Sequence, residues 1–334
     1  MHQLSSWRQP ALALLLVGGC AVAFAQQAPP ATPPPGTAGQ QQQQSQDEVT
    51  FRADTRLVVL HASVVDKSGK LVTTLGREAF KVYENNVEQQ VRLFRREDVP
   101  VSMGIVIDNS GSMRDKRQKV EAAALALVKN SNKQDEVFVV NFNDEAYLDV
   151  PFTSDIKKME EGVARIDSRG GTAVRDAISM SIDHVKAEGK RDKRVLVLVT
   201  DGDDTASSGI TQEKLVEKAQ RAEVLIYVIG LPTLEDRGRA NRAKRAMTQL
   251  AKASGGTVVY VEDFDQVENV AVQIAHDIRN QYVIAYSPSN QNLDGSYRQI
   301  KVTAGRNTVR TRSGYYATAA ETRRSAVSQG GPPR

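Results

Sequence analysis

The feature that most restricts the fold of this chain is a series of short apolar runs that alternate with helical segments between residues 101 and 279. The runs Val101–Ile107, Arg194–Thr200 and Val224–Ile229 are rich in β-branched residues and lack polar alternation. Such runs are typical of strands that are buried on both faces of a sheet. The segments between them have helical periodicity, as at Lys116–Asn130, and are predicted to be the helices that connect parallel strands. This region is therefore predicted to be α/β, with a doubly wound, mostly parallel sheet.

The segments on either side follow a different pattern. Residues 48–98 contain short apolar stretches separated by turn signals such as Asp66–Gly69, which predicts strands without helices. Residues 282–317 return to this β-rich pattern, with strands expected at Gln281–Tyr286, Tyr297–Thr303 and Thr308–Tyr316. A few short strands leave an apolar face uncovered. We therefore expect both flanks to form one β-sandwich, into which the α/β domain at residues 99–281 is inserted.

Two polar residues are expected to begin helices. Ser154 precedes a helical pattern that extends to Ile166, and Thr211 precedes one that extends to Ala222. Serine and threonine favour such positions because their hydroxyl oxygens accept hydrogen bonds from first-turn amides.

The two ends of the chain are predicted to lie outside the folded domains. Residues 1–25 combine Arg8, an apolar run and the A-x-A site Ala23–Ala25, which is typical of a cleaved signal peptide. Residues 26–46 are rich in Gln and Pro and predict a disordered linker, and the polar residues 318–334 predict a disordered tail. Cys20, the single cysteine, lies in a context that resembles a bacterial lipobox. Two destinations stay open: soluble export to the periplasm or the exterior, or a lipid anchor at Cys20 in the cell envelope.

The charge pattern gives little support to a nucleic-acid partner. The formal net charge is +4, and most basic residues are interspersed with acids. The exception is the cluster Arg237–Arg245, which is interpreted as a solvated loop that leads into a helix at Asn241–Ala253. We therefore expect no nucleic-acid partner.

Small oxygen-bearing residues follow the carboxyl ends of two predicted strands. Asp108, Ser110 and Ser112 come after the first apolar run, and Asp201 comes after a later one. Thr172 follows a pair of glycines before a predicted helix. In open α/β sheets, ligands bind at these strand ends. Carboxylates and hydroxyls are ligands for a small hard cation such as Mg²⁺, so a cation site is predicted at this edge.

Through these residues the chain resembles the von Willebrand factor type A family, whose metal-ion-dependent adhesion site has the pattern D-x-S-x-S, a distant Thr and a distant Asp in a T-D-G context. The resemblance implies a Rossmann-like fold over residues 98–281. It implies that Ser110, Ser112 and Thr172 contact the metal, and that Asp108 and Asp201 hold it directly or through water. The implied cation is Mg²⁺, with Mn²⁺ or Ca²⁺ as alternatives. The flanking segments resemble those of a bacterial exported subgroup of the family.

The predicted site favours binding over catalysis. Hydroxyls and water leave a cation short of negative charge, so a carboxylate from a protein ligand can complete its coordination. We therefore expect an exported, metal-dependent protein-binding or adhesion module that is not an enzyme. An alternative is a cell-envelope scaffold in which the metal is only structural. A magnesium-dependent hydrolase is disfavoured for two reasons. Haloacid-dehalogenase-like enzymes have a second Asp two residues after the Asp that ends the first strand, and Ser110 occupies that position here. The phosphate-binding motif G-x-x-x-x-G-K is also absent.

Overall fold

The computed structural model describes residues 57–96, 98–164, 168–232 and 237–318. The predicted signal peptide, the linker, Cys20 and the tail beyond Thr318 lie outside these ranges. None of the helices within them has both the length and the apolar character needed to cross a membrane.

The described chain begins with four short strands and then enters the central sheet. The first four strands are β1 (Val58–Val65), β2 (Phe80–Glu84), β3 (Val87–Gln89) and β4 (Val91–Arg95). The central strands are β5 (Val101–Asp108), β6 (Glu136–Phe142), β7 (Ala146–Thr153), β8 (Lys193–Thr200), β9 (Val224–Gly230) and β10 (Val258–Tyr260). Their order is β10-β9-β8-β5-β6-β7, and only the edge strand β7 is antiparallel to its neighbour. Every residue of β5 and β8 is buried, which accounts for their unbroken apolar runs.

Helices cover both faces of the central sheet. They are α1 (Arg117–Lys129), α2 (Ile156–Ala164), α3 (Val174–Glu188), α4 (Gln212–Arg221), α5 (Arg237–Ser254) and α6 (Val267–Arg279). The first, second and sixth helices pack on one face, and the other three pack on the opposite face. The predicted doubly wound α/β fold is confirmed.

Three helix starts differ from the sequence predictions. The helix expected from Lys116 is preceded by a 3-10 segment, Gly111–Lys116. The helix expected from Asn241 begins at Arg237, so the whole basic cluster lies on α5. The expected N-cap Ser154 is wrong by one residue, because the Asp155 carboxylate accepts the hydrogen bond from the Lys157 amide at 3.0 Å. The predicted cap at Thr211 is confirmed by its bond from the Lys214 amide.

The C-terminal strands complete a β-sandwich with the N-terminal ones. They are β11 (Tyr282–Tyr286), β12 (Tyr297–Ala304), β13 (Thr308–Arg310) and β14 (Gly314–Tyr316). One sheet has the order β13-β1-β11-β4 and the other β14-β12-β2-β3, so each contains two strands from each flank. Their inner faces share one apolar core. The α/β domain is therefore inserted into a sandwich built from both flanks, as predicted.

The single strand predicted at Thr308–Tyr316 is wrong. Its first part pairs with β1 in one sheet and its last part pairs with β12 in the other. Between them, Arg312 forms an ion pair of 2.7 Å with Glu223, and the Ser313 amide donates to the Ala253 carbonyl at 3.1 Å. The chain thus crosses between the sheets while it contacts the α/β domain, which interrupts the strand.

Polar contacts fill the junction between the sandwich and the α/β domain. Gln281 donates to the hydroxyls of Ser63 at 3.0 Å and Tyr227 at 3.1 Å. Arg310 on β13 forms an ion pair of 2.7 Å with Asp277 on α6. The last helix is therefore attached to the sandwich by side chains as well as by the chain itself.

Candidate functional site

Asp108 lies at the carboxyl end of the central strand β5, and its side chain is fully buried. One carboxylate oxygen accepts a hydrogen bond from the Ser110 amide at 2.9 Å, and the other accepts one from the Thr200 hydroxyl at 2.6 Å. Burial raises the pKa of Asp108 to about 6, although these hydrogen bonds favour the ionised form. Both oxygens of Asp108 are therefore held in fixed orientations by neighbouring strands and turns.

The two serines link the first strand end to Asp201. The hydroxyl oxygens of Ser110 and Ser112 are 3.1 Å apart, and the Ser112 hydroxyl donates to Asp201 Oδ1 at 2.9 Å. Asp201 directly follows β8, the neighbour of β5 in the sheet. Four of the five residues singled out in the sequence therefore form one hydrogen-bonded array at adjacent strand ends.

Thr172 reaches the same edge through its loop. The Gly111 amide donates to the Gly170 carbonyl at 3.2 Å, which joins the loop to the segment that carries the serines. The Thr172 amide donates to the Thr205 hydroxyl at 3.0 Å, and its carbonyl accepts from the Thr205 amide at 2.9 Å. In the described structure Thr172 is thus placed by its backbone, and its hydrogen bonds do not include the other four residues.

Lys116 is the site residue that the sequence did not indicate. Its ammonium forms an ion pair with Asp201, and the Asp201 side chain is completely buried. The same ammonium lies 5.5 Å from the centroid of the Phe264 ring, a distance at which the ring face attracts a cation. Lys116 ends the 3-10 segment after the serines, and this turn brings it back towards β8. The lysine was missed because it lies 85 residues from Asp201 in the chain.

The neighbouring acidic residues support the loops and stay out of the array. Asp204 accepts a hydrogen bond from the Arg175 amide at 2.8 Å and forms an ion pair with its side chain. Asp176 accepts hydrogen bonds from the amides of Ser208 and Gly209. Their role in the described structure is to hold the segment after β8 against the start of α3.

The donor set fits a small divalent cation. Asp108, Ser110, Ser112 and Asp201 offer oxygen atoms alone, which suits Mg²⁺, Mn²⁺ or Ca²⁺ better than zinc or copper. No three His, Cys, Asp or Glu side chains cluster in the described ranges, so the hydroxyls are needed to complete a ligand set. The Lys116 ammonium on Asp201 is a stand-in cation, which indicates that the array attracts positive charge.

The histidines that the structure describes lie away from this array. His61 is in β1 of the sandwich, and His276 is on the exposed side of α6. His184 packs against the rings of Phe138 and Phe152, at centroid distances of 4.7 and 5.2 Å. Among the described residues, no imidazole is placed to activate either site serine.

Comparison with known families gives a match to the von Willebrand factor type A domain over residues 103–273. The matched range contains β6 to β10, all but the first two residues of β5, and all five residues of the predicted site.

Similar curated proteins match part of this chain at low identity. The uncharacterized protein YfbK of Escherichia coli strain K12 is 24% identical over 222 residues, which cover 62% of this chain and 37% of that protein. Inter-alpha-trypsin inhibitor heavy chain H4 of Sus scrofa is 27% identical over 136 residues, which cover 38% of this chain and 14% of that protein. The chain spans less than half the length of these curated relatives.

Two solved structures have partial similarity to this chain. A von Willebrand factor type A protein from Catenulispora acidiphila has 13% identity and a TM-score of 0.49, with 78% of this chain and 73% of that chain covered. An aerotolerance-related membrane protein from Bacteroides fragilis has 21% identity and a TM-score of 0.44, with coverages of 53% and 98%.

Proposed function

This chain belongs to the von Willebrand factor type A domain family, and we propose that it is a metal-dependent module that binds an acidic group of a partner protein. The observation that carries the proposal is the array in which Asp108, Ser110, Ser112 and Asp201 meet at neighbouring strand ends. Its oxygen atoms are already oriented by contacts within the protein. A cation would therefore meet a largely preformed set of oxygens, although it would have to displace the Lys116 ammonium from Asp201.

Each side chain has a proposed role toward Mg²⁺, or toward Mn²⁺ or Ca²⁺ as alternatives. The hydroxyls of Ser110, Ser112 and Thr172 would hold the cation, and the carboxylates of Asp108 and Asp201 would balance its charge directly or through water. The bound cation would supply a coordination position that a carboxylate of the partner protein can fill. Thr200 acts behind this set, because its hydroxyl holds Asp108 in place.

We propose an exported location for this activity. The support is the signal-peptide pattern of residues 1–25, followed by a Gln/Pro-rich linker. A soluble periplasmic or extracellular protein and one anchored through Cys20 are both compatible with this proposal. Either form would present the site outside the cytoplasm.

Titration with Mg²⁺ by calorimetry tests the metal assignment. We expect saturable binding by the wild type and at least a tenfold weaker affinity in Asp108→Ala and in Ser112→Ala. Asp203→Asn is the control, because it removes a charge from the loop that contains Asp201 but lies outside the array. Unchanged affinity in both site variants would overturn the assignment.

Capture of a partner from envelope extract separates binding from a structural role of the metal. The proposal expects capture in Mg²⁺, loss of capture in EDTA, and loss with Ser112→Ala as bait. Capture that survives EDTA while the bait stays folded would favour the scaffold alternative, in which the sandwich provides the contact surface.

The proposed role is non-enzymatic. The described geometry offers no imidazole beside Ser110 or Ser112. Metal-dependent turnover of a phosphate or carboxylic ester that disappears in Asp108→Ala would contradict this proposal.

A further inference from the structure

The helix α5 differs from the other described helices in charge. It has no acidic residue, whereas each of the other five helices has at least one Asp or Glu. All of its basic side chains are exposed: Arg237, Arg239, Arg242, Lys244, Arg245 and Lys252. The formal charge of this helix, +6 by count of those residues, exceeds the +4 of the whole chain. We call this surface the basic face of α5.

Helix stability does not explain the basic face. Arg237 and Arg239 lie in the first turn, where the helix dipole favours acidic residues and disfavours cations. The attachment of α5 to the sheet uses its opposite side, where Met247 and Leu250 are buried. Arg242 forms a long contact of 3.8 Å with Asp203, and the Lys244 ammonium lies 5.0 Å from the centroid of the Tyr260 ring. Such contacts between exposed groups contribute little to stability. The charge of the helix thus points to a ligand.

The end of β8 that carries Asp201 lies beside the basic face of α5. A small pocket between them is lined by Asp201 and Gly202 and by Ala240, Ala243, Lys244 and Met247 of α5. Arg242 also lies 3.8 Å from Asp203, two residues after Asp201. A ligand that contacts the cation site through Asp201 is therefore adjacent to the basic face.

We infer that the partner binds through an acidic segment, which extends over the surface from the cation site to the basic face of α5. The inference rests on the proposed function and deepens it by naming the partner's chemistry. From Arg237 to Arg245 the helix rises about 12 Å, at about 1.5 Å per residue. An extended peptide covers that distance with about four residues. A partner segment of about four residues, with acidic side chains facing α5, therefore spans this part of the basic face.

Binding of fluorescein-labelled octaglutamate, measured by anisotropy in Mg²⁺, tests this inference on the full chain. The variant Arg242→Glu/Arg245→Glu reverses two exposed charges of the basic face. Its matched control is Lys157→Glu/Lys158→Glu, which makes the same change in charge on two exposed lysines of α2. Circular dichroism confirms that both variants are folded.

The expected result is at least a tenfold loss of affinity in the α5 variant and less than a threefold loss in the α2 control. The wild type is expected to bind a peptide with one Asp among Gly and Ser more weakly than octaglutamate. Added salt should reduce octaglutamate binding because exposed charges are screened. Equal affinities of the two charge-reversal variants would overturn the inference.

The same titration distinguishes the inference from the proposed function. If octaglutamate binds equally in Mg²⁺ and EDTA but the α5 variant still loses affinity, the metal-dependent function fails and the acidic-segment contact is supported. If binding needs Mg²⁺ but is equal in the two variants, the function is supported and the contact fails. Tighter α5-dependent binding to phosphatidylglycerol vesicles or to an oligonucleotide than to octaglutamate would also overturn the inference.

Discussion

Asp201 receives two contacts, a hydroxyl from Ser112 and the ammonium of Lys116. A divalent cation at the array would compete with this ammonium for the same carboxylate. The contact is charge-assisted and largely shielded from water, so it is stronger than an exposed ion pair. Lys116 is therefore expected to lower the affinity of the site for metal.

Replacing Lys116 by Met should raise the affinity for Mg²⁺ about tenfold, because a hydrogen bond to a charged group contributes about 1.5 kcal/mol or more. The Met side chain can keep the contact with Phe264. Calorimetric titration measures the change. Lys119→Met is the control, since Lys119 pairs with Asp265 at 2.6 Å and lies outside the array. An affinity equal to or below that of the wild type would contradict competition by Lys116.

Asp108 should make the stability of the metal-free protein depend on pH. Its folded-state pKa, about 6, lies above the ordinary value of 3.8, so the fold favours the protonated acid. The stabilisation of the fold by protonated Asp108 is complete below about pH 4 and is lost as the pH rises through about 6. The change from 3.8 to about 6 corresponds to about 3 kcal/mol at most.

Asp108→Asn removes that titration. In EDTA at pH 7.5 the variant should be more stable than the wild type by about 2 to 3 kcal/mol, and the difference should shrink towards pH 4. Urea unfolding at several pH values measures it. In Mg²⁺ the wild type should be the more stable of the two proteins, because the variant has one carboxylate fewer to bind the cation. A difference that is constant with pH would contradict the buried titration of Asp108.

At the scale of elements, the second helix gives a direct comparison between two candidate caps. Asp155→Ala should cost about 1 kcal/mol, because its carboxylate holds the first-turn amide of Lys157. Ser154→Ala should change the free energy of unfolding by less than about 0.5 kcal/mol, as is usual at an exposed position. Urea unfolding of both variants checks the pair. Equal losses would mean that Asp155 is not the cap.

Ser154 and Asp155 show that a sequence pattern can predict the start of a helix without identifying which residue caps it. Ser, Thr and Asp all favour helix starts, and residues 153–155 contain one of each. The choice among them depends on which side chain the preceding strand turns towards the helix. In this chain the Thr153 hydroxyl accepts from the Asp155 amide, and Asp155 in turn caps the helix.

At the scale of the whole molecule, the junction between the sandwich and α6 contains the ion pair Arg310–Asp277. Arg310→Met should destabilise the protein by about 3 kcal/mol at pH 7, because it leaves the nearly buried carboxylate of Asp277 without its cation. Adding Asp277→Asn should recover most of this loss. Urea unfolding of the single and double variants measures the coupling, and additive losses would contradict it.

Much of the architecture could be predicted from local patterns. Unbroken apolar runs require strands that are buried on both faces, and this requirement led to the parallel sheet and its helical layers. Two β-rich flanks, each unable to cover its own apolar face, led to the inserted arrangement. Asp108, Ser110, Ser112 and Asp201 could be placed together because the ends of parallel strands meet at one edge of the sheet.

Only the tertiary structure decided which distant side chains meet. Lys116 and Asp201 are 85 residues apart, and nothing in a local pattern distinguishes this lysine from an exposed one. The basic cluster Arg237–Arg245 has the composition of a solvated segment, and its position beside Asp201 follows from the packing of α5 on the sheet. Local sequence determines elements because hydrophobic periodicity and capping act over a few residues. Contacts between elements depend on the folded path of the whole chain, which brings a lysine to the predicted cation site and a basic helix to its edge.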